Sequence, residues 1–133
     1  MNPTTIANAP TIAQRPLSIP ALMLRLEGLA VLGAAVLLYT RQDYGWLLFA
    51  LLFLAPDLAI IPYALNQRLG RILYNLLHTY TLPLLLALLS LSLPNPLTLQ
   101  LSLIWFAHIG MDRLVGYGLK YPDSFKETHL QRV

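Results

Sequence analysis

Four long apolar runs separated by short polar breaks organise the chain. The first is "ALMLRLEGLAVLGAAVLLY", about residues 21–39. The second is "YGWLLFALLFLAPDLAIIPYAL", about 44–65. The third is "GRILYNLLHTYTLPLLLALLSLSL", about 70–93, and the fourth covers about 97–117. Each approaches or exceeds the ~20 residues needed to cross a hydrocarbon core. A helix pairs its own backbone, so it is the state such a run adopts in lipid. The links "TRQD", "NQRL" and "PNP" are short enough to make consecutive helices antiparallel neighbours. The pattern predicts an all-α integral membrane protein, a four-helix up-down-up-down bundle over residues 21–121. Residues 1–20 hold four prolines and one arginine, with no basic start before an apolar run, so they read as an irregular arm rather than a signal peptide. Pro20 fits the first turn of the helix that follows. Residues 122–133 read as a polar tail.

Composition sharpens this picture. Residues are 56% hydrophobic and 11% charged, too little polar surface to cover a soluble domain of 133 residues. The net charge of +3 does not point to nucleic acid, because the basic residues flank the apolar runs. Eight of the nine, Arg15, Arg25, Arg68, Arg71, Arg113, Lys120, Lys126 and Arg132, fall on the side of the two termini, and Arg41 alone on the other. That asymmetry places both termini in the cytoplasm. The absence of cysteine removes disulfides, thiolate zinc sites and cysteine-ligated clusters. No glycine-rich phosphate loop or nucleophile elbow occurs.

Polar residues inside apolar helices are costly, at least ~2.5 kcal/mol for an acid near the membrane centre, and usually face the bundle interior. Here they are Glu27, Asp57, Asn75, His78, His108 and Asp112, with Arg25 and Arg113 close by. Counted from the end of each helix on the side of the termini, Glu27, Asp57, His78 and His108 lie at a common depth, roughly 10–13 Å at ~1.5 Å per residue. His108 and Asp112 are four apart and share a face, Asn75 and His78 are three apart, and Tyr74 is within reach of His78. Ala30 and Ala34 are expected to continue the face of Glu27 and let helices approach. Pro56, Pro62 and Pro83 are expected to kink their helices and free carbonyls.

Two imidazoles with carboxylates suit a divalent metal, zinc, manganese or iron. Asp57, His78 and His108 are the expected core ligands, with Asp112 as a fourth ligand or as the group that orients His108. In a metal-dependent hydrolase acting on a lipid or amphiphile, Glu27 would be the general base, Arg113 would stabilise developing negative charge and Asn75 would orient a ligand. The alternatives are a structural polar network in a non-enzymatic membrane module, homo-oligomer or complex subunit; a haem between His78 and His108; or a proton path through the acids.

The segments "LEGLAVL", "PDLAIIPY", "YNLLHTYTLP" and "AHIGMDRLVGYGLKYPDSFKETHL" resemble domain-of-unknown-function family 4260, small and mostly bacterial membrane proteins, across roughly residues 24–130. The resemblance implies a four-helix protein of a bacterial inner membrane and supplies no mechanism. It directs attention to the same polar residues and also to Tyr117, Lys120 and His129. Tyr117, Tyr121 and Lys120 suit an interfacial belt, or Arg113 and Lys120 form a basic rim for a headgroup.

Overall fold

The computed structural model describes residues 17–121 and 124–132, so most of the N-terminal arm lies outside the described residues. Helix α1 spans Ile19–Arg41. Ser18 caps it, its Oγ accepting from the Ala21 N–H at 3.3 Å, and Pro20 sits in the first turn. The turn after α1 is closed by Tyr39, a fully buried ring whose hydroxyl donates to the Gly45 carbonyl at 2.7 Å. The Gln100 amide donates to that same hydroxyl at 2.9 Å.

The second apolar run does not form one α-helix. It starts as α2, Trp46–Leu52, and continues as a 3₁₀ helix, Ala55–Ala64. Pro56 lacks the N–H that would continue the α ladder, and Pro62 repeats the loss, so the tighter i→i+3 pattern takes over. The third run is α3, Gln67–Leu77, and α4, Thr81–Ser90, bent by 44°. Pro83 explains the position of the break, since its ring would collide with the carbonyl four residues earlier in a continuous helix. The fourth run is α5, Pro96–Val115, ended by Gly116 at φ 100°, a left-handed cap that suits glycine.

Four helical segments were expected and four are present, the second and third of them broken. Among the described residues, Ile19–Arg41 and Trp46–Ala64 are long and apolar enough to cross a membrane, and α3 with α4 makes a third if the bent pair is one span. Four uniform spans are therefore not what the structure supports. Helix α5 is not among the candidates. It carries Gln100, Ser102, His108, Asp112 and Arg113, and its buried residues include Leu103, Ile104, Ala107 and Ile109, so it is the enclosed helix of the set. Helix α1 has the opposite character, with Leu22, Leu26, Leu29 and Leu37 exposed.

The seam between α1 and α5 is made by glycine. Helix α1 buries Ala21, Gly28, Ala35 and Tyr39, spaced seven, seven and four residues apart. A Cβ added at Gly28 would stand 2.5 Å from Arg113 Cβ and 2.8 Å from the Gly110 carbonyl, and one at Gly110 would stand 2.8 Å from the Gly28 carbonyl. The two backbones touch there, as small-residue crossings allow. Ala30 and Ala34 do not make this contact. Both are exposed, as is Glu27, because the seam follows Gly28, about 100° around the helix from Glu27.

A short antiparallel hairpin, β1 (Lys120–Tyr121) with β2 (Ser124–Thr128), joins the end of the expected helical domain to the segment read as a polar tail, and α6, His129–Arg132, follows. It is an addition to the all-α expectation. The hairpin is tied to α3 by Asn75, whose amide treats the Lys120 backbone as a strand neighbour would. Nδ2 donates to the Lys120 carbonyl at 2.8 Å, and Oδ1 accepts the Lys120 N–H at 2.6 Å. Replacing Asn75 with alanine removes both bonds, each worth about 1 kcal/mol net. Faster amide exchange at Lys120, by about 30-fold, with the exchange of α5 unchanged, is the expected outcome.

Candidate metal centre

Three irregularities converge on one point. Asp57 stands in the first turn of the 3₁₀ helix. His78 caps α3 at the break before α4. His108 and Asp112 lie one turn apart near the end of α5. One ligand atom from each of the four lies within 4.8 Å of every other. His78 Nε2 is 3.3 Å from Asp57 Oδ1, 3.5 Å from Asp112 Oδ2 and 3.2 Å from His108 Nε2. His108 Nε2 is 3.4 Å from each carboxylate oxygen. The two histidine side chains are 1% and 2% exposed and Asp112 14%, whereas Asp57 is 46% exposed and forms the open side.

The backbone fixes how the rings present themselves. His78 Nδ1 lies 2.8 Å from the Tyr74 carbonyl. A carbonyl can only accept, so Nδ1 carries the proton and the neutral ring directs the Nε2 lone pair inward. The ring of Phe53, the residue that caps α2, meets His108 edge-on at 5.7 Å. Orientation of a ligating imidazole by its second nitrogen is the usual arrangement in metal sites. If His108 is likewise protonated at Nδ1 alone, two lone pairs and two carboxylates face one another with no proton between them. Such a group is held by a cation, or by a proton on one ring.

Ligand atoms ~2.0–2.1 Å from a tetrahedral zinc are about 3.3–3.4 Å from each other. An octahedral ion at ~2.1 Å would set adjacent ligands about 3.0 Å apart and opposite ones about 4.2 Å apart. Five of the six separations, 3.2–3.5 Å, are near the tetrahedral edge, and the sixth, between the Asp57 and Asp112 carboxylates, is within 4.8 Å. The donor set, two imidazoles and two carboxylates, fits zinc.

The other residues singled out in the sequence surround this group without joining it. The ring of Tyr74 stacks on His78, centroids 3.8 Å apart and planes 11° from parallel. Lys120 Nζ lies 4.5 Å from the Tyr74 centroid on the hairpin side, so Tyr74 and Lys120 back the ligand rather than supply one. Burial pushes the Lys120 pKa down, and the charge of Asp112 opposes that shift. Arg113 is 7% exposed and donates to backbone, from Nη2 to the His78 carbonyl at 2.8 Å and from Nη1 to the Tyr117 carbonyl at 3.0 Å. It holds the break open in the shape the site needs. Asn75 anchors the hairpin, as described. Tyr117 is 58% exposed, and its N–H donates to the Asp112 carbonyl at 2.7 Å. Glu27 lies outside the group of four, exposed on α1, with its charge felt at Tyr80. His129 also lies apart. Its Nδ1 accepts the Leu119 N–H at 2.9 Å, and burial, followed by the charge of Arg113, holds its pKa down and the ring neutral.

The sequence reading missed Trp105, whose Nε1 donates to the Leu77 carbonyl at 2.7 Å. With Arg113 it satisfies the two successive carbonyls freed at the break, those of Leu77 and His78. The available signal was Pro83. A proline that breaks a buried helix obliges nearby donors to satisfy the released carbonyls, and Trp105 lies three residues from His108 on the facing helix.

Residues 21–133 match the sequence model of a family described as "Domain of unknown function (DUF4260)". No curated protein and no solved structure matches the chain.

Proposed function

The chain belongs to the family described as "Domain of unknown function (DUF4260)", and on that premise we propose that it is a membrane protein with a zinc centre formed by Asp57, His78, His108 and Asp112. The observation that carries the proposal is the gathering of two imidazole nitrogens and two carboxylate oxygens within 4.8 Å of one another, five of the separations being 3.2–3.5 Å, with the outer nitrogen of His78 engaged by backbone. The exposed leucines of α1 support insertion in a bilayer, and the distribution of lysine and arginine supports an inner membrane with the hairpin on the cytoplasmic side.

The chemistry we assign is hydrolysis of a lipid or other amphiphile. His78 and His108 are buried, Asp112 is partly buried and Asp57 is half exposed, so Asp57 is the ligand that water or a substrate oxygen would displace. With Asp57 displaced, His78, His108 and Asp112 would be the three protein ligands of a catalytic zinc, which would supply a water of lowered pKa at the fourth position. Glu27 takes no part in this version, and Arg113 acts as a positioning residue through the His78 carbonyl. Stripping the detergent-solubilised protein with a chelator and restoring zinc tests the proposal. The melting temperature is expected to rise on restoration, since ligand at about 1,000 times Kd stabilises by ~4 kcal/mol, and ester hydrolysis is expected to return with it. Identical melting with and without zinc would favour a proton-bridged structural network.

A further inference from the structure

We propose that the apolar cleft beside the centre holds one acyl chain of a membrane lipid, with the lipid's polar carbonyl region at the four ligands. The inference rests on the zinc reading for the head of the ligand and on the cleft alone for its tail. The cleft has a volume of about 320 Å³ and is lined by Leu52, Ala55, Pro56, Leu77, Leu86, Leu101, Ile104 and Trp105. Its walls are the segments that carry the ligands. Pro56 precedes Asp57, Leu77 precedes His78, and Ile104 lies one helical turn before His108. Leu101, Ile104, His108 and Asp112 follow one stripe of α5, at spacings of three, four and four. The stripe is apolar over its first turns and polar over its last.

An amphiphile has that same division. The seven residues from His108 back to Leu101 cover about 10 Å of helix axis, a length that takes the upper half of an acyl chain. The α5 residues that line the cleft, Leu101, Ile104 and Trp105, lie on the Pro96 side of His108, so a chain seated there with its carbonyl region at the ligands would point the way lipid tails point from the leaflet at the Gly116 end. Size agrees with the ~300–1,000 Å³ range of small-molecule sites, and the lining suits hydrocarbon. Trp105, on the wall, is also a reporter of occupancy.

The test uses Trp46→Phe protein, which leaves Trp105 as the one tryptophan, purified in an unlabelled detergent. A phosphatidylcholine brominated along one acyl chain is titrated in, and Trp105 fluorescence is read. Saturable quenching is expected, weakened about tenfold or more by cleft-filling Ala55→Phe or Leu101→Phe, since a single methylene in an apolar pocket is worth 10–200-fold. Melting and zinc content, measured on the same samples, identify a variant that has merely failed to fold. Quenching that rises linearly and equally in all variants would overturn the proposal, because it reports partition into the micelle. Saturation with a brominated free fatty acid but not with the phospholipid would overturn the assignment to a membrane lipid. Zinc present without saturable quenching removes the cleft proposal and leaves the centre. Saturable quenching in protein that never binds zinc removes the centre and leaves the cleft.

Discussion

His78→Ala is expected to weaken zinc binding by at least about 100-fold, the upper end of what loss of an outer-shell partner alone costs such sites. His78 takes part in three of the five short separations and is the most enclosed ligand. Its ring is clamped by the Tyr74 carbonyl on one edge and the Tyr74 ring on one face. No neighbouring side chain can replace an Nε2 that is positioned from so many directions. Asp57→Asn is expected to cost less, because an amide oxygen can still ligate and the position is half exposed. His129→Ala is the control: it removes an imidazole that bonds to the Leu119 N–H and should leave zinc affinity unchanged. Competition with a chromophoric chelator measures all three. Equal affinity in His78→Ala and the native protein would show that the four residues are not the site.

Gly110→Val is expected to destabilise the fold by about 3 kcal/mol or more, at the top of the range for overpacking. A Cβ at Gly110 meets the Gly28 carbonyl and the Leu32 nitrogen at 2.8 Å each, and Leu32 Cα at 3.2 Å. All three are backbone atoms, so no side-chain rotation relieves the contact, and α1 must separate from α5. Gly110 lies between His108 and Asp112, so the separation also disturbs the centre. Gly33→Ala makes the contrast. A Cβ there meets nothing within 4 Å, and the position is exposed within α1. That change is expected to stabilise by roughly 0.5–1 kcal/mol, the usual penalty of glycine inside a helix. Denaturant unfolding followed by circular dichroism in detergent separates the two.

The residues that proved legible in the sequence are those whose cost is local. An acid or imidazole within an apolar run is expensive wherever the helix goes, so Asp57, His78, His108 and Asp112 could be singled out before any packing was known. The common depth of Asp57, His78 and His108 followed from helix rise alone. Glu27 satisfied the same depth test and still stands outside the group, because depth does not fix rotation about the helix axis. Rotation of α1 is set by Gly28 against Gly110, a backbone contact with no hydrophobic signature, and Ala30 and Ala34 were equally plausible by size. The prolines announced disruption without its form. Pro56 and Pro62 together gave a 3₁₀ helix, and Pro83 a bend with two carbonyls satisfied by Trp105 and Arg113. Arg113 and Asn75 were read as groups for a ligand, and their bonds go to backbone instead. A side chain that can serve a substrate can equally serve a broken helix, and only the tertiary structure distinguishes the two.

The central claim is that the four side chains hold a metal ion rather than a shared proton. Elemental analysis of detergent-purified protein by inductively coupled plasma mass spectrometry, after removal of any histidine tag, addresses it most directly. Near-stoichiometric zinc in the native protein, absent from His78→Ala, is the predicted result. Native protein that carries no zinc and takes up none when it is supplied would contradict it.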